Sequence, residues 1–136
     1  MVNDLLYSDL TYKIWGAAFN VYNELGFGHK EIVYQKALAK ELENSRINFV
    51  REARIPVIYK GEKVGVYIPD FVVENKIIVE IKANYIYSPD LDRQLLNYLK
   101  VTNYNLALSI NFGKEKIEIK RKIWTRKSAK SVLKSA

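Results

Sequence analysis

Four side chains have types and spacings that suit metal or phosphate chemistry: Glu31, Asp70, Glu80 and Lys82. Asp70 and Glu80 fall in runs of isoleucine and valine, where a lone carboxylate is costly to bury. Lys82 follows Glu80 by two residues, so in an extended strand both point to one face. Two carboxylates held side by side repel, and burial raises the cost; a divalent cation removes both penalties. Magnesium takes oxygen ligands, usually one or two carboxylates, with waters and a phosphate completing its octahedron. Manganese suits the same donors. Lys82 could then hold a metal-bound water or offset charge growing on a phosphate. The plainer alternative is a buried carboxylate–lysine salt bridge with no metal. Taken singly, each residue suits that alternative. The set suits it less well, because a Pro-Asp at a strand end, a Glu-Ile-Lys in an apolar strand and an inward helical glutamate must all be explained together.

The elements that must position these residues are legible from periodicity. Ser8, followed by Asp9, reads as a helix N-cap, and Leu10, Ile14, Ala18, Val21 and Leu25 recur at helical spacing until Gly26 and Gly28 stop the helix. A second helix spans about Lys30 to Asn44, with Glu31, Tyr34, Leu38 and Leu42 on one face. From Ile47 the pattern switches to period two. Strands are expected over Phe49–Glu52, Ile55–Lys60, Val64–Glu74 and Ile77–Lys82, with turns at Gly61-Glu62 and Glu74-Asn75-Lys76. Pro89 opens a third helix, reaching Val101, in which Leu91, Leu95 and Leu99 repeat every four residues. A strand from Tyr104 to Ile110, a turn at Asn111-Phe112-Gly113 and an edge strand through Ile117, Ile119 and Ile123 complete the chain. The tail beyond Trp124 reads as weakly ordered or a short helix. The order is α-α-β-β-β-β-α-β-β in one α/β domain of residues 1–124, followed by a basic tail at 125–136. If Val64 to Lys82 is a hairpin centred near Asn75, residues summing to about 150 face each other. Asp70 then opposes Glu80, with Cβ atoms roughly 4.5–5.5 Å apart. A slip of one residue would separate them.

Composition narrows the chemistry. The 136 residues suffice for one domain with a core. There is no cysteine, which excludes disulfides, thiolate zinc sites and cysteine nucleophiles and fits a reducing cytoplasm. One histidine, His29, gives little support to a multi-histidine metal site or a serine–histidine triad. The apolar runs are short, and Met1–Leu10 carries acids without a basic leader, so neither a membrane span nor a signal peptide is expected. Residues 1–113 hold 13 Lys/Arg against 13 Asp/Glu, so the entire excess of +7 lies in 114–136. Lys120, Arg121, Lys122, Arg126 and Lys127 are therefore candidates for gripping a phosphate backbone. A solvated tail explains the same charge.

Pro69-Asp70, nine further residues and Glu80-Ile81-Lys82 resemble the signature of the PD-(D/E)XK nuclease superfamily. Gly28-His29-Lys30-Glu31-Ile32-Val33-Tyr34 is similar to the GxxExxY motif that names a small prokaryotic family within it. The likeness runs on through Ala17-Ala18-Phe19, Asn23-Glu24-Leu25-Gly26, Gln94 to Leu99 and Asn111-Phe112-Gly113, covering about residues 10–124. The resemblance implies a restriction-endonuclease-like mixed sheet flanked by helices, with the site at one end. It implies that Asp70, Glu80 and the Ile81 carbonyl bind Mg2+ or Mn2+, that Lys82 serves catalysis, and that Glu31 completes the site directly, through water or at a second metal. Gln94 and Tyr98 resemble the Q-x-x-x-Y element of exonuclease-type branches; with Tyr34 they would support the site, or simply form a helix face bonded to the sheet. Relatives often carry a histidine where this chain has Tyr22, which puts that contact in question and leaves the metal set whole. His29 is expected to be a surface or capping residue. Tyr85 and Tyr87 could stack on bases, but covering the sheet edge is the favoured role.

The expected function is metal-dependent phosphodiester hydrolysis of nucleic acid, DNA ahead of RNA. The alternative is a non-catalytic module that keeps the fold to bind nucleic acid or protein. A third class is a structural protein with a salt-bridged core. A domain of this size can hardly wrap a duplex alone, which leaves room for a homodimer or a larger complex.

Overall fold

The structure is a computed structural model, and residues 6–125 are described. Helix α1 is Ser8–Leu25 and α2 is Glu31–Asn44. Strands β1 (Phe49–Arg51), β2 (Ile55–Tyr59), β3 (Glu62–Tyr67), β4 (Phe71–Val73) and β5 (Ile77–Lys82) follow. Helix α3 (Pro89–Lys100) then leads to β6 (Leu106–Phe112) and β7 (Ile117–Ile123). Among the described residues the strands form a five-stranded mixed sheet of order β1-β4-β5-β6-β7 and a separate β2-β3 pair. The α/β class is as expected. No described helix is long and apolar enough to cross a membrane.

Three expectations are corrected. Val64 to Glu74 is two strands, because Pro69 lacks the N–H a ladder needs. At Ile68-Pro69-Asp70 the chain leaves β2's partner strand and enters the larger sheet. The order is therefore α-α-β-β-β-β-β-α-β-β. Asn111 and Phe112 belong to β6 rather than to a turn. The Asn111 side chain explains this: its Oδ1 accepts from Asn84 N–H at 2.9 Å and its Nδ2 donates to the Asn84 carbonyl at 3.0 Å. With its amide satisfied sideways, a buried asparagine no longer marks a chain reversal. Finally, Ser8 lies inside α1; Tyr7 takes the cap position in a left-handed conformation, with no side-chain capping bond.

The sheet has a core on each face. Phe71, Val73, Ile77, Val79 and Ile81 pack against α1 and α2 with Ile14, Ala18, Tyr34, Leu38 and Leu42. Tyr67, Ile78 and Ala107 pack against Leu95 and Leu99 of α3. Burying each of these aliphatic side chains contributes roughly 1.5–3 kcal/mol. Alternation along β5 places Ile77, Val79 and Ile81 on the first face, and Ile78, Glu80 and Lys82 on the α3 face.

Candidate active site

The hairpin β4–β5 sets the first pair of residues. The Lys76 N–H donates to the Val73 carbonyl at 2.9 Å, and Glu74 and Asn75 between them have φ of 51° and 54°. Two consecutive left-handed residues make the turn whose twist matches that of paired strands. It fixes Phe71 opposite Val79, Val72 opposite Ile78 and Val73 opposite Ile77. Continuing that register brings Asp70 level with Glu80. The two carboxylates are latched reciprocally: Asp70 N–H donates to Glu80 Oε1 at 2.8 Å, and Ile81 N–H donates to Asp70 Oδ2 at 2.7 Å. Each carboxylate thus spends one oxygen on the opposite backbone. The anticipated juxtaposition is present.

Electrostatics mark the pair as strained without a counter-charge. Burial, then the Asp70 charge, push the Glu80 carboxyl up to about 7, against the opposing pull of the Asp70 N–H and Lys82. Burial likewise raises Asp70, opposed by the Ile81 N–H and by Lys82. Lys82 makes no ion pair with either acid within 4 Å among the described residues. The buried salt bridge considered from the sequence is therefore not formed. Glu31 begins α2, half-buried, and its charge acts on both carboxylates. No three His, Cys, Asp or Glu side chains gather into a metal-binding group among the described residues. Asp70 and Glu80 accordingly form a pair of carboxylates, with Glu31 bearing on it from the helix end.

The donors present fit a hard divalent cation. They are oxygens alone, two carboxylates with one unlatched oxygen each, which is within the number magnesium takes from protein. His29 is engaged elsewhere: its Nε2 lies 2.9 Å from the Leu25 carbonyl, closing the end of α1. A buried hydroxyl adds a polar group that sequence reasoning missed. Tyr67 is 4% exposed and its Oη has no hydrogen-bond partner. Its phenol is pushed up by burial, then by the charges of Glu80, Tyr98 and Asp70, and it packs with Ile78 and Leu95 on the α3 face that carries Glu80. Read as one continuous strand, Tyr67 and Asp70 would face opposite sides. The break at Pro69 removes that separation; the proline marked the break, but which face each half would take was not legible.

The family model described as the PD-(D/E)XK nuclease superfamily matches residues 8–122, spanning Glu31, Asp70, Glu80 and Lys82. The chain belongs to the PD-(D/E)XK nuclease superfamily. The mixed sheet between helices is the restriction-endonuclease-like architecture that this membership entails. No curated protein matches the chain. Among solved structures it is similar to an alkaline exonuclease from Laribacter hongkongensis, at 12% identity and a TM-score of 0.48. That similarity covers 71% of this chain and 57% of the exonuclease, so the chain spans little more than half of that protein's length.

In this nuclease-superfamily domain the remaining anticipated residues separate by position. Gln94 lines a narrow recess with Glu80, Lys82, Leu91, Leu95 and Ser109, so it does reach the carboxylate face. Tyr98, one turn on, stacks on Tyr67 at 3.7 Å between centroids and 8° between planes. It stands behind the site through Tyr67. Tyr34 works on the other face: its hydroxyl donates to the Gly26 carbonyl at 2.5 Å and its ring stacks on Phe112 at 4.3 Å. It thereby pins the loop that delivers Glu31. Tyr22 donates to the Gly113 carbonyl at 2.6 Å and ties α1 to the β6–β7 turn. The basic stretch is divided by the strand that carries it. Lys120 lies 5.6 Å from the Tyr87 ring centroid and Lys122 pairs with Asp92 at 3.3 Å, whereas Arg121 points to the opposite face and donates to the Leu6 carbonyl. A single phosphate-gripping row through all three is thus not formed. Arg126, Lys127 and the tail to residue 136 lie outside the described residues.

Proposed function

We propose that this domain is a magnesium- or manganese-dependent nuclease that hydrolyses phosphodiester bonds in nucleic acid, DNA first. The observation that carries the reading is the reciprocal latch of Asp70 and Glu80 with Lys82 next on the Glu80 face, inside a matched nuclease-family model. The GxxExxY-like run around Glu31 supports placing the chain in that smaller group.

Asp70 and Glu80 would hold the cation with the Ile81 carbonyl. When bound, a divalent cation supplies Lewis acidity toward a phosphoryl oxygen and lowers the pKa of water toward neutrality. The backbone latches fix the outward oxygens of both carboxylates, so little reorganisation remains on binding. Lys82 carries its ammonium on the same face, where a fixed positive charge offsets the negative charge that grows on phosphate in the transition state. Gln94 places an amide at the edge of this face, suited to orienting a water or a phosphate oxygen. Glu31 acts as a further acid from the α2 terminus, close enough to favour cation uptake by its charge.

A panel of labelled single- and double-stranded DNA and RNA, incubated with Mg2+ or Mn2+, tests this. Wild type is expected to cut at least one substrate, and Lys82→Ala to cut it at least about 100-fold more slowly. Equal cleavage by both proteins overturns the assignment. The binding-module alternative draws on the lack, among the described residues, of a third acid gathered with the pair; it predicts nucleic-acid binding with no cleavage in either metal.

A further inference from the structure

The C-terminal end of β5 carries a surface that the hydrolytic residues leave unused. Beyond Lys82 the chain passes through Ala83 and Asn84 to Tyr85 and Ile86, which are 57% and 72% exposed. The segment is anchored, because Asn84 is held at both its N–H and its carbonyl by Asn111. Tyr85 meets Phe27 edge-on, with centroids 6.0 Å apart and planes at 90°. Phe27 comes from the α1–α2 loop and is itself 39% exposed. Lys114, from the β6–β7 turn, donates to Tyr85 Oη at 3.2 Å and lies 5.0 Å from the ring centroid. Three separate loops therefore bring two exposed rings and a cation to one spot.

Tyr87, two residues on, shows the contrasting case. Its hydroxyl donates to Asp92 and it is half-buried beneath Lys120, so it covers the sheet edge as expected. Tyr85 does not. Its hydroxyl meets an exposed lysine, and its ring lies open to solvent. Exposed ring faces beside a cation are what proteins offer to single-stranded nucleic acid: bases stack on the rings while the cation holds the backbone. Paired bases inside a duplex hide their faces, so such a surface selects unpaired nucleotides. The site is within reach, since three residues from Lys82 to Tyr85 span at most about 11 Å. That is roughly three stacked nucleotides at about 3.4 Å each.

We propose that Phe27, Tyr85 and Lys114 form a stacking platform for unpaired nucleotides, presenting a single-stranded or frayed end to the Asp70–Glu80–Lys82 face. This names the substrate class of the proposed nuclease and rests on that reading of the site.

The test is fluorescence anisotropy of the full chain in EDTA with a labelled oligothymidine about 12 nucleotides long, against a blunt duplex of equal length. The expected result is tighter binding of the oligothymidine, weakened about tenfold by Tyr85→Ala or Phe27→Ala and largely retained by Tyr85→Phe. An abasic sugar at one or more positions should weaken wild-type binding while leaving Tyr85→Ala little changed. Equal binding by wild type and Tyr85→Ala, or tighter binding of the blunt duplex, overturns the platform; a protein-docking face gives the first of these. Adding Mn2+ in parallel separates the two ideas. Binding through Tyr85 without any cutting supports the platform and contradicts the nuclease reading. Cutting with no effect of Tyr85→Ala on binding overturns the platform alone.

Discussion

Glu80 is a carboxyl group whose surroundings favour its proton. Its pKa is raised from 4.5 to about 7, so the folded protein holds that proton more tightly than the unfolded chain does. This contribution to stability is complete below about pH 4.5 and is lost as pH rises through 7. It is worth on the order of 3 kcal/mol across that window. Without divalent cation, the melting temperature should therefore fall between pH 5 and pH 7.5, and Mg2+ should restore it at the higher pH by binding the folded state. Glu80→Gln keeps the acceptor for Asp70 N–H and removes the charge, so it should flatten the pH dependence and leave the metal-free protein at least as stable as wild type at pH 7.5. A clear loss of stability in that variant would instead show that the Glu80 charge stabilises the fold without a cation. Tyr67→Phe bears on a second buried group. Removing a hydroxyl without a partner should leave metal-free stability unchanged or raise it by up to about 1 kcal/mol, measurable by urea denaturation. Asp70 and Glu80 were legible because acids are conspicuous in an apolar run; Tyr67 was not, because aromatic residues are ordinary in strands.

At the scale of elements, positions set by local chemistry were readable and positions set by a partner were not. The β4–β5 register followed from a two-residue turn and period two, and residues summing to 150 do face each other. The split of Val64–Glu74 depended on which strand each half would pair with, β2 or β1 and β5, and alternation alone does not say. The extension of β6 through Phe112 depended on an asparagine satisfied 27 residues away in sequence. Glu31's inward placement was visible as a glutamate on an apolar stripe. Its distance from the pair was not, since that is set by how α2 docks on the sheet. Tyr34 controls that docking through Gly26 and Phe112. Tyr34→Phe should cost about 1 kcal/mol of stability by leaving a carbonyl without its donor. Hydrogen exchange should quicken in residues 26–30 more than in β5.

For the whole molecule, the excess positive charge lies in one stretch of the sequence, well after Asp70 and Glu80. Residues 114–136 hold all of the +7, while Lys122 is paired with Asp92 and Arg121 with a carbonyl. If Arg126, Lys127, Lys130 and Lys134 contact phosphates, a chain ending at Thr125 should bind DNA more weakly and with a flatter salt dependence. The slope of log K against log salt should shrink by about three. An unchanged slope would assign the tail to solubility.

The central claim, that Asp70 and Glu80 form a cation site, is most directly tested by calorimetric titration of Mn2+ into wild type and Asp70→Ala. The account predicts saturable binding to wild type, lost or weakened at least about 100-fold in the variant. No binding to wild type, or equal binding to both proteins, would contradict it.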